Sequence, residues 1–180
     1  VFLLLKNRGV THFSTLSIWN YGLCLIALYT ASTVYHALEH EGRKKKAQIM
    51  DHIGIFLLIA GTYTPVCLIT LEQTTGWRLF FIIWSIAGIG LVMKLFLTGK
   101  VEKLSLFMYL LMGWLVVAEL SQLLNLLSAE ALTYMAIGGV FYTLGTIFYA
   151  SRRIPYGHFI WHLFVLGGSV SHYFMIYSIV

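Results

Sequence analysis

Six long apolar runs, separated by short polar segments, cover the chain from residue 15 to its end. They occupy approximately residues 15–38, 50–71, 77–98, 104–127, 131–150 and 157–180. An α-helix needs about 20 predominantly apolar residues to cross the hydrocarbon core of a bilayer, so each run predicts a transmembrane helix. The shorter apolar stretch Val1–Leu5 reads as the tail of a further helix whose start is absent. We therefore expect an all-α, polytopic transmembrane helix bundle of seven spans, the first truncated, in a single domain over residues 1–180.

Composition agrees with this interpretation. The chain is 59% hydrophobic and 11% charged, with a mean hydropathy of +0.81, whereas soluble domains are roughly half apolar and a quarter charged. The net charge of +5 does not indicate nucleic acid, because the basic residues lie in short loops where they set topology and meet lipid headgroups. Cys24 and Cys67 both fall inside apolar runs, which favours reduced structural thiols over a disulfide framework.

The basic residues are concentrated in alternate loops. The loops after the first, third and fifth complete spans contain Arg43, Lys44, Lys45, Lys46, Lys100, Lys103, Arg152 and Arg153. The opposite side has three, Lys6, Arg8 and Arg78. By the positive-inside rule the basic loops are cytoplasmic, so the amino terminus is expected inside and the carboxyl terminus outside. Lys94, near the basic end of its span, is expected to extend its ammonium group to the interface.

Four polar residues then share one depth near the cytoplasmic side. His36 closes the first complete span, Asp51 opens the second, and His158 and His162 lie in the first turns of the last. Polar groups at lipid depth are costly and usually face a bundle interior or a cavity. We therefore expect these side chains to converge.

The spacing of these residues predicts a metal site. His158 and His162 are four residues apart, so both imidazoles project from one helix face and suit one zinc ion. His36 is the best third ligand, with His40 and His52 as alternatives. Asp51 is either a fourth ligand or, in a catalytic site with an open position, the acceptor of a proton from zinc-activated water. Ser32, one turn deeper than His36, is expected to position the water or a substrate carbonyl.

Simpler interpretations exist for each polar residue alone. A histidine in a membrane helix often only hydrogen-bonds a neighbouring helix, and Asp51 at a helix start would cap that helix. His172 lies about 15 Å deeper than His162 at 1.5 Å per residue and is expected to make a structural hydrogen bond. Glu119, with no partner identifiable in the sequence, is expected to be protonated or to extend to the interface. Pro65 should disturb its helix.

Three motifs together resemble the hemolysin III family of bacterial membrane proteins, which is related to the adiponectin and the progestin and adipoQ receptors. The motifs are Ala31–His36, Asp51–Ile55 with Ala60–Pro65, and His158–His162 with Ser171–His172. The resemblance covers almost the whole chain. It implies a seven-helix bundle in the bacterial inner membrane, with zinc held by His36, His158 and His162 and with Asp51 bound through water.

The wider superfamily includes alkaline ceramidases, so the resemblance implies zinc-dependent hydrolysis of a lipid-like amide or ester, with membrane lipids as partners. The alternative is a non-enzymatic regulator or receptor of membrane homeostasis with a structural zinc. A channel or transporter is less favoured, because no track of polar residues crosses the spans. The sequence names neither the substrate nor the oligomeric state.

Overall fold

The computed structural model describes residues 1–151 and 153–180, and all regular elements among them are helices. A short helix, α1 (Phe2–Lys6), precedes six long ones. The long helices are α2 (Ser14–Ala37), α3 (Glu41–Thr70), α4 (Gly76–Leu97), α5 (Glu102–Leu126), α6 (Ala129–Ala150) and α7 (Gly157–Ile179). The predicted all-α bundle is confirmed. Arg152, counted among the basic loop residues, lies outside the described residues.

Five helices, α3 to α7, are long and apolar enough to cross a membrane. The 24-residue helix α2 has the length but is not among these five. Its polar residues, including Ser17, Asn20 and Thr33, lower its hydropathy relative to the other predicted spans. Helix α1 has five residues, so a seventh span ahead of α2 stays a prediction.

Helix α3 begins much earlier than the apolar run that predicted it. The segment 40–46 was expected to be a loop, but the helix starts at Glu41 and the basic residues 43–46 form its first turns. Glutamate, lysine and arginine are good helix formers, and Glu41 in the first turn complements the helix dipole. Asp51 therefore lies ten residues inside α3, so the expectation that it opens or caps the helix is wrong.

The helices form two compact units. One comprises Gly9–Met112, in which α2 packs along α3 and α3 packs against α4. The other comprises Val1–Arg8 and Gly113–Val180, in which α6 packs along α7. The first unit contains His36 and Asp51, and the second contains His158 and His162.

Two glycines set the close approach of α2 to α3. A Cβ atom at Gly54 would lie 2.9 Å from Leu28 Cδ1, and one at Gly61 would lie 2.7 Å from Cys24 Cβ. The two glycines are seven residues apart, so they lie on the same face of α3 two turns apart. Small residues at such positions let helix backbones pack closely in a membrane. The pairs also show that α2 and α3 run antiparallel, with Gly54 at the level of Leu28.

Irregular turns interrupt α3 and α5. The α-helical part of α3 ends at Pro65 and continues as a π-helical turn, Val66–Thr70, as the missing proline N–H and the ring would favour. In α5 a 3₁₀ segment, Leu115–Glu119, separates two α-helical parts. The Tyr63 hydroxyl donates to the Met112 carbonyl at 2.7 Å. This bond ties the two helices together just before each irregular segment.

A single methyl group added at Gly61 should destabilise the α2–α3 packing. Gly61→Ala forces the new Cβ against Cys24, and such overpacking typically costs about 1–3 kcal/mol. Gly88→Ala is the matched control, because nothing lies within 4 Å of a Cβ there and alanine is the better helix former. Thermal unfolding in detergent should show a lower Tm for Gly61→Ala than for Gly88→Ala. Equal values would contradict the close approach.

Candidate metal centre

His158 and His162 form one half of the predicted site, at the start of α7. Their Nε2 atoms are 3.0 Å apart, and the ring centroids are 4.7 Å apart. Two nitrogens bound to one tetrahedral zinc at 2.0–2.1 Å would be separated by about 3.3 Å. The predicted pair is therefore brought together in an arrangement that fits two ligands of one ion.

A buried tryptophan on an adjacent face of α7 orients the turns that carry this pair. Trp161 is buried, and its ring lies 5.2 Å from that of Tyr149 on α6. A Cβ at Gly145 would lie 3.0 Å from the Trp161 ring, so the glycine makes room for the indole. Trp161 lies between His158 and His162 in the sequence. Its packing against α6 therefore sets the rotation of the first turns of α7 about the helix axis.

His36 and Asp51 belong to the other unit. His36 is exposed in the last turn of α2, with its ring 4.6 Å from that of Tyr35. Asp51 is only 8% exposed, and its charge also acts on Tyr35. In this unit the predicted site therefore comprises the exposed imidazole of His36, the neighbouring ring of Tyr35 and the buried carboxylate of Asp51.

The helix register places Ser32 close to the level of Asp51. Starting from the Gly54–Leu28 contact, Asp51 is three residues back along α3, about 4.5 Å away. Ser32 is four residues on along the antiparallel α2, about 6 Å in the same direction. His36 lies one further turn beyond Ser32. The predicted auxiliary residue and the predicted base thus share a level within this unit.

Asp51 is a buried acid within a membrane helix. Among the described residues, two acidic side chains are buried, Asp51 at 8% and Glu119 at 4% exposed. An ionisable group inside a membrane helix is costly and usually has a functional reason. Asp51 is therefore a candidate functional residue.

The alternative ligands His52 and His40 have other surroundings. His52 is buried, and its Nδ1 lies 3.6 Å from Glu102 Oε2. His40 is exposed immediately before α3, with its ring against Gly42. Neither observation excludes either residue, and His36 as third ligand stays a prediction.

Lys94 does not extend to the interface as expected. Its side chain is completely buried, and Nζ donates to Glu102 Oε2 at 2.8 Å. The partner is eight residues later, across the α4–α5 turn. Sequence reasoning missed this pair because the opposite charges are separated by a turn whose geometry the hydropathy pattern does not specify.

Glu119 also has a partner, contrary to expectation. Gln122 Nε2 donates to Glu119 Oε2 at 2.7 Å, and Glu119 is 4% exposed. The three-residue spacing between the two polar side chains was the available signal. The structural hydrogen bond expected of His172 is present, to the main chain of Met135.

Comparison with known proteins identifies the family. The family described as "Haemolysin-III related" matches residues 1–173. The chain is 42% identical over 156 residues to the hemolysin-3 homolog of Bacillus subtilis (strain 168), covering 87% of this chain and 73% of that protein. It is 41% identical over 156 residues to hemolysin-3 of Bacillus cereus, covering 87% and 71%.

A human protein is also similar. The monocyte to macrophage differentiation factor of Homo sapiens is 30% identical over 166 residues, covering 89% of this chain and 68% of that protein. No solved structure matches. The spans and the matches together define a multi-pass helical membrane protein. The chain belongs to the hemolysin III family, as its motifs predicted, and it has human relatives in the adiponectin and progestin receptor family.

The histidine pair leads to a direct test of metal binding. Wild-type protein should contain about one zinc per chain, and His158→Ala should lose most of it, because one of three protein ligands is removed. His12→Ala, which removes an exposed histidine outside the site, should retain zinc. Elemental analysis of the purified proteins measures both, and His36→Ala compared with His40→Ala identifies the third ligand. Full zinc in a His36/His158/His162 triple alanine variant would rule out the site.

Proposed function

We propose that this protein is a zinc-dependent hydrolase of lipid-like amide or ester bonds at the cytoplasmic side of the bacterial inner membrane. The observation that carries the proposal is the convergence of the His158 and His162 Nε2 atoms to 3.0 Å in a chain that also has a buried carboxylate, Asp51. Imidazole pairs with this spacing are typical zinc ligands. A nearby carboxylate is the group that hydrolytic chemistry requires.

The donor set fits zinc. His158, His162 and His36 would hold the ion, and three histidines leave a fourth position open, as catalytic zinc sites do. When bound, zinc would lower the pKa of a water molecule and polarise a carbonyl group. Cys24 and Cys67 are buried thiols in α2 and α3 and take no part in this set.

Asp51 would act as the general base. A carboxylate close to the metal would accept a proton from the attacking water. Its burial supports this role, since a hydrogen bond to a charged group is stronger in a medium of low dielectric constant. Ser32, close to the level of Asp51, would donate a hydrogen bond to the substrate carbonyl and help to orient it.

A lipid substrate suits the position of these residues. The basic loops favour a cytoplasmic position for this end of the helices, so the histidines and Asp51 would lie near the inner leaflet. His36 and His158 are exposed, so a substrate could approach from the bilayer. A polar linkage such as an amide or ester lies near the headgroup level, at the depth where these side chains are expected.

The rival proposal is a regulator or receptor with a structural zinc. Asp51 would then be a fourth protein ligand in a closed site, which its burial also permits. The two proposals differ in what Asp51 does, so the test concentrates on that residue. The other partners proposed here are membrane lipids.

Asp51→Asn separates the two proposals. The substitution keeps the size and one acceptor atom but removes the base, and loss of a general base typically lowers the rate about 10²- to 10⁴-fold. The variant should retain zinc and fold but fail to deplete the lipid amide or ester that wild-type protein consumes. Lipid profiling of matched membranes measures this difference.

Glu119→Gln is the matched control, because it neutralises another buried acid outside the predicted site. Its lipid profile should equal that of wild-type protein. If wild-type and Asp51→Asn membranes contain the same lipids, while Asp51→Asn fully rescues the phenotype of cells lacking the protein, the hydrolase proposal fails and the regulatory one is favoured.

A further inference from the structure

A carboxylate on α5 links three helices at the level of Asp51. Glu102 Oε2 accepts a hydrogen bond from Lys94 Nζ at 2.8 Å and lies 3.6 Å from His52 Nδ1. Its other oxygen, Oε1, accepts from the Gly99 backbone N–H at 2.8 Å. Glu102 thereby connects the end of α4, the start of α5 and the residue of α3 that follows Asp51.

A second contact from α5 reaches the same residue. The Tyr109 hydroxyl donates to the backbone carbonyl of His52 at 3.0 Å. The Tyr109 ring lies 4.4 Å from that of Phe56, which is completely buried. Both the ring and the main chain of His52 are thus contacted from α5, and Phe56, one turn later, is packed against the same helix.

These contacts fix the rotation of α3 about its axis. His52 and Phe56 are four residues apart and share the face towards α5. Asp51 and Gly54 are three residues apart and share a different face, the one that meets α2 at Leu28. Because consecutive helical residues differ by about 100°, holding His52 against α5 directs Asp51 towards α2, where Ser32 lies.

We propose that Glu102 and Tyr109 are positioning residues that hold His52 and thereby aim the Asp51 carboxylate. This inference rests on the proposed function, in which Asp51 is the base. It also explains a buried lysine in a membrane helix, since Lys94 supplies the charge that keeps Glu102 in place. Polar and ionisable groups at such depth usually have a functional reason.

The chain offers a matched pair of tyrosines to test the proposal. Tyr63 and Tyr109 are similarly buried, at 7% and 8% exposed, and each donates to a backbone carbonyl of another helix. Tyr63 is twelve residues beyond Asp51 along α3, about 18 Å away. Tyr109→Phe and Tyr63→Phe therefore remove equivalent bonds, but only the first removes a contact beside Asp51.

Hydrogen exchange of full-length protein in nanodiscs provides the first readout. Tyr109→Phe should speed exchange in the segment 50–56 about five- to tenfold, as expected for one lost hydrogen bond. Tyr63→Phe should leave this segment unchanged. The second readout is Co²⁺, added alone, whose visible absorption reports the surroundings of the metal. This spectrum should change in Tyr109→Phe, because the Asp51 carboxylate near the metal is displaced, and should equal that of wild-type protein in Tyr63→Phe.

Glu102→Gln is a second variant that keeps an acceptor for Gly99 but removes the charge, and it should behave like Tyr109→Phe in both readouts. Equal effects of Tyr109→Phe and Tyr63→Phe on segment 50–56 and on Co²⁺ would overturn the positioning role and leave a merely structural one. If wild-type protein binds neither Zn²⁺ nor Co²⁺, the proposed function fails. Hydrogen exchange alone then decides whether α5 holds the Asp51 segment.

Discussion

A polar group inside a membrane-spanning helix must find its hydrogen-bond partner within the protein, because lipid tails offer none. The described helices meet this constraint repeatedly. Thr62 and Thr64 return their hydroxyls to carbonyls one turn earlier, Tyr63 donates to a carbonyl of α5, and Lys94 pairs with Glu102. Among the described residues, two buried side-chain atoms of α2, Ser17 Oγ and Asn20 Oδ1, have no hydrogen-bond partner. On the adjacent helix α3, Asp51 adds a buried carboxylate.

Contacts on two faces of α3 fix the rotation of this helix about its axis. One face of the helix, marked by Gly54 and Gly61, lies close enough to α2 that a single methyl group would collide. Another face, marked by His52 and Phe56, is held by α5 through ring and hydroxyl contacts. With both faces fixed, Asp51 has little rotational freedom. The same restraint that stabilises the helix would also orient the Asp51 carboxylate for the proposed proton transfer.

The sequence predicted the helical spans well, because the hydrocarbon thickness dictates the length of an apolar run. It misplaced the start of α3, because a hydropathy pattern shows charged residues only as polar and does not distinguish a charged helical turn from a loop. The His158–His162 pair was predictable from its four-residue spacing, which is a local property. The contacts of Glu102 and Tyr109 with His52 were not, because they depend on how α3, α4 and α5 pack against one another. Family membership was recognisable because three separate motifs agree.

The central claim is that three imidazoles hold one zinc ion in a site with an open fourth position. X-ray absorption at the zinc edge of the purified protein tests it most directly. The account predicts three imidazole nitrogens at about 2.0–2.1 Å and one further light atom, with the imidazole count falling to two in His36→Ala. A sulfur shell at about 2.3 Å, or an imidazole count that His36→Ala leaves unchanged, would contradict it.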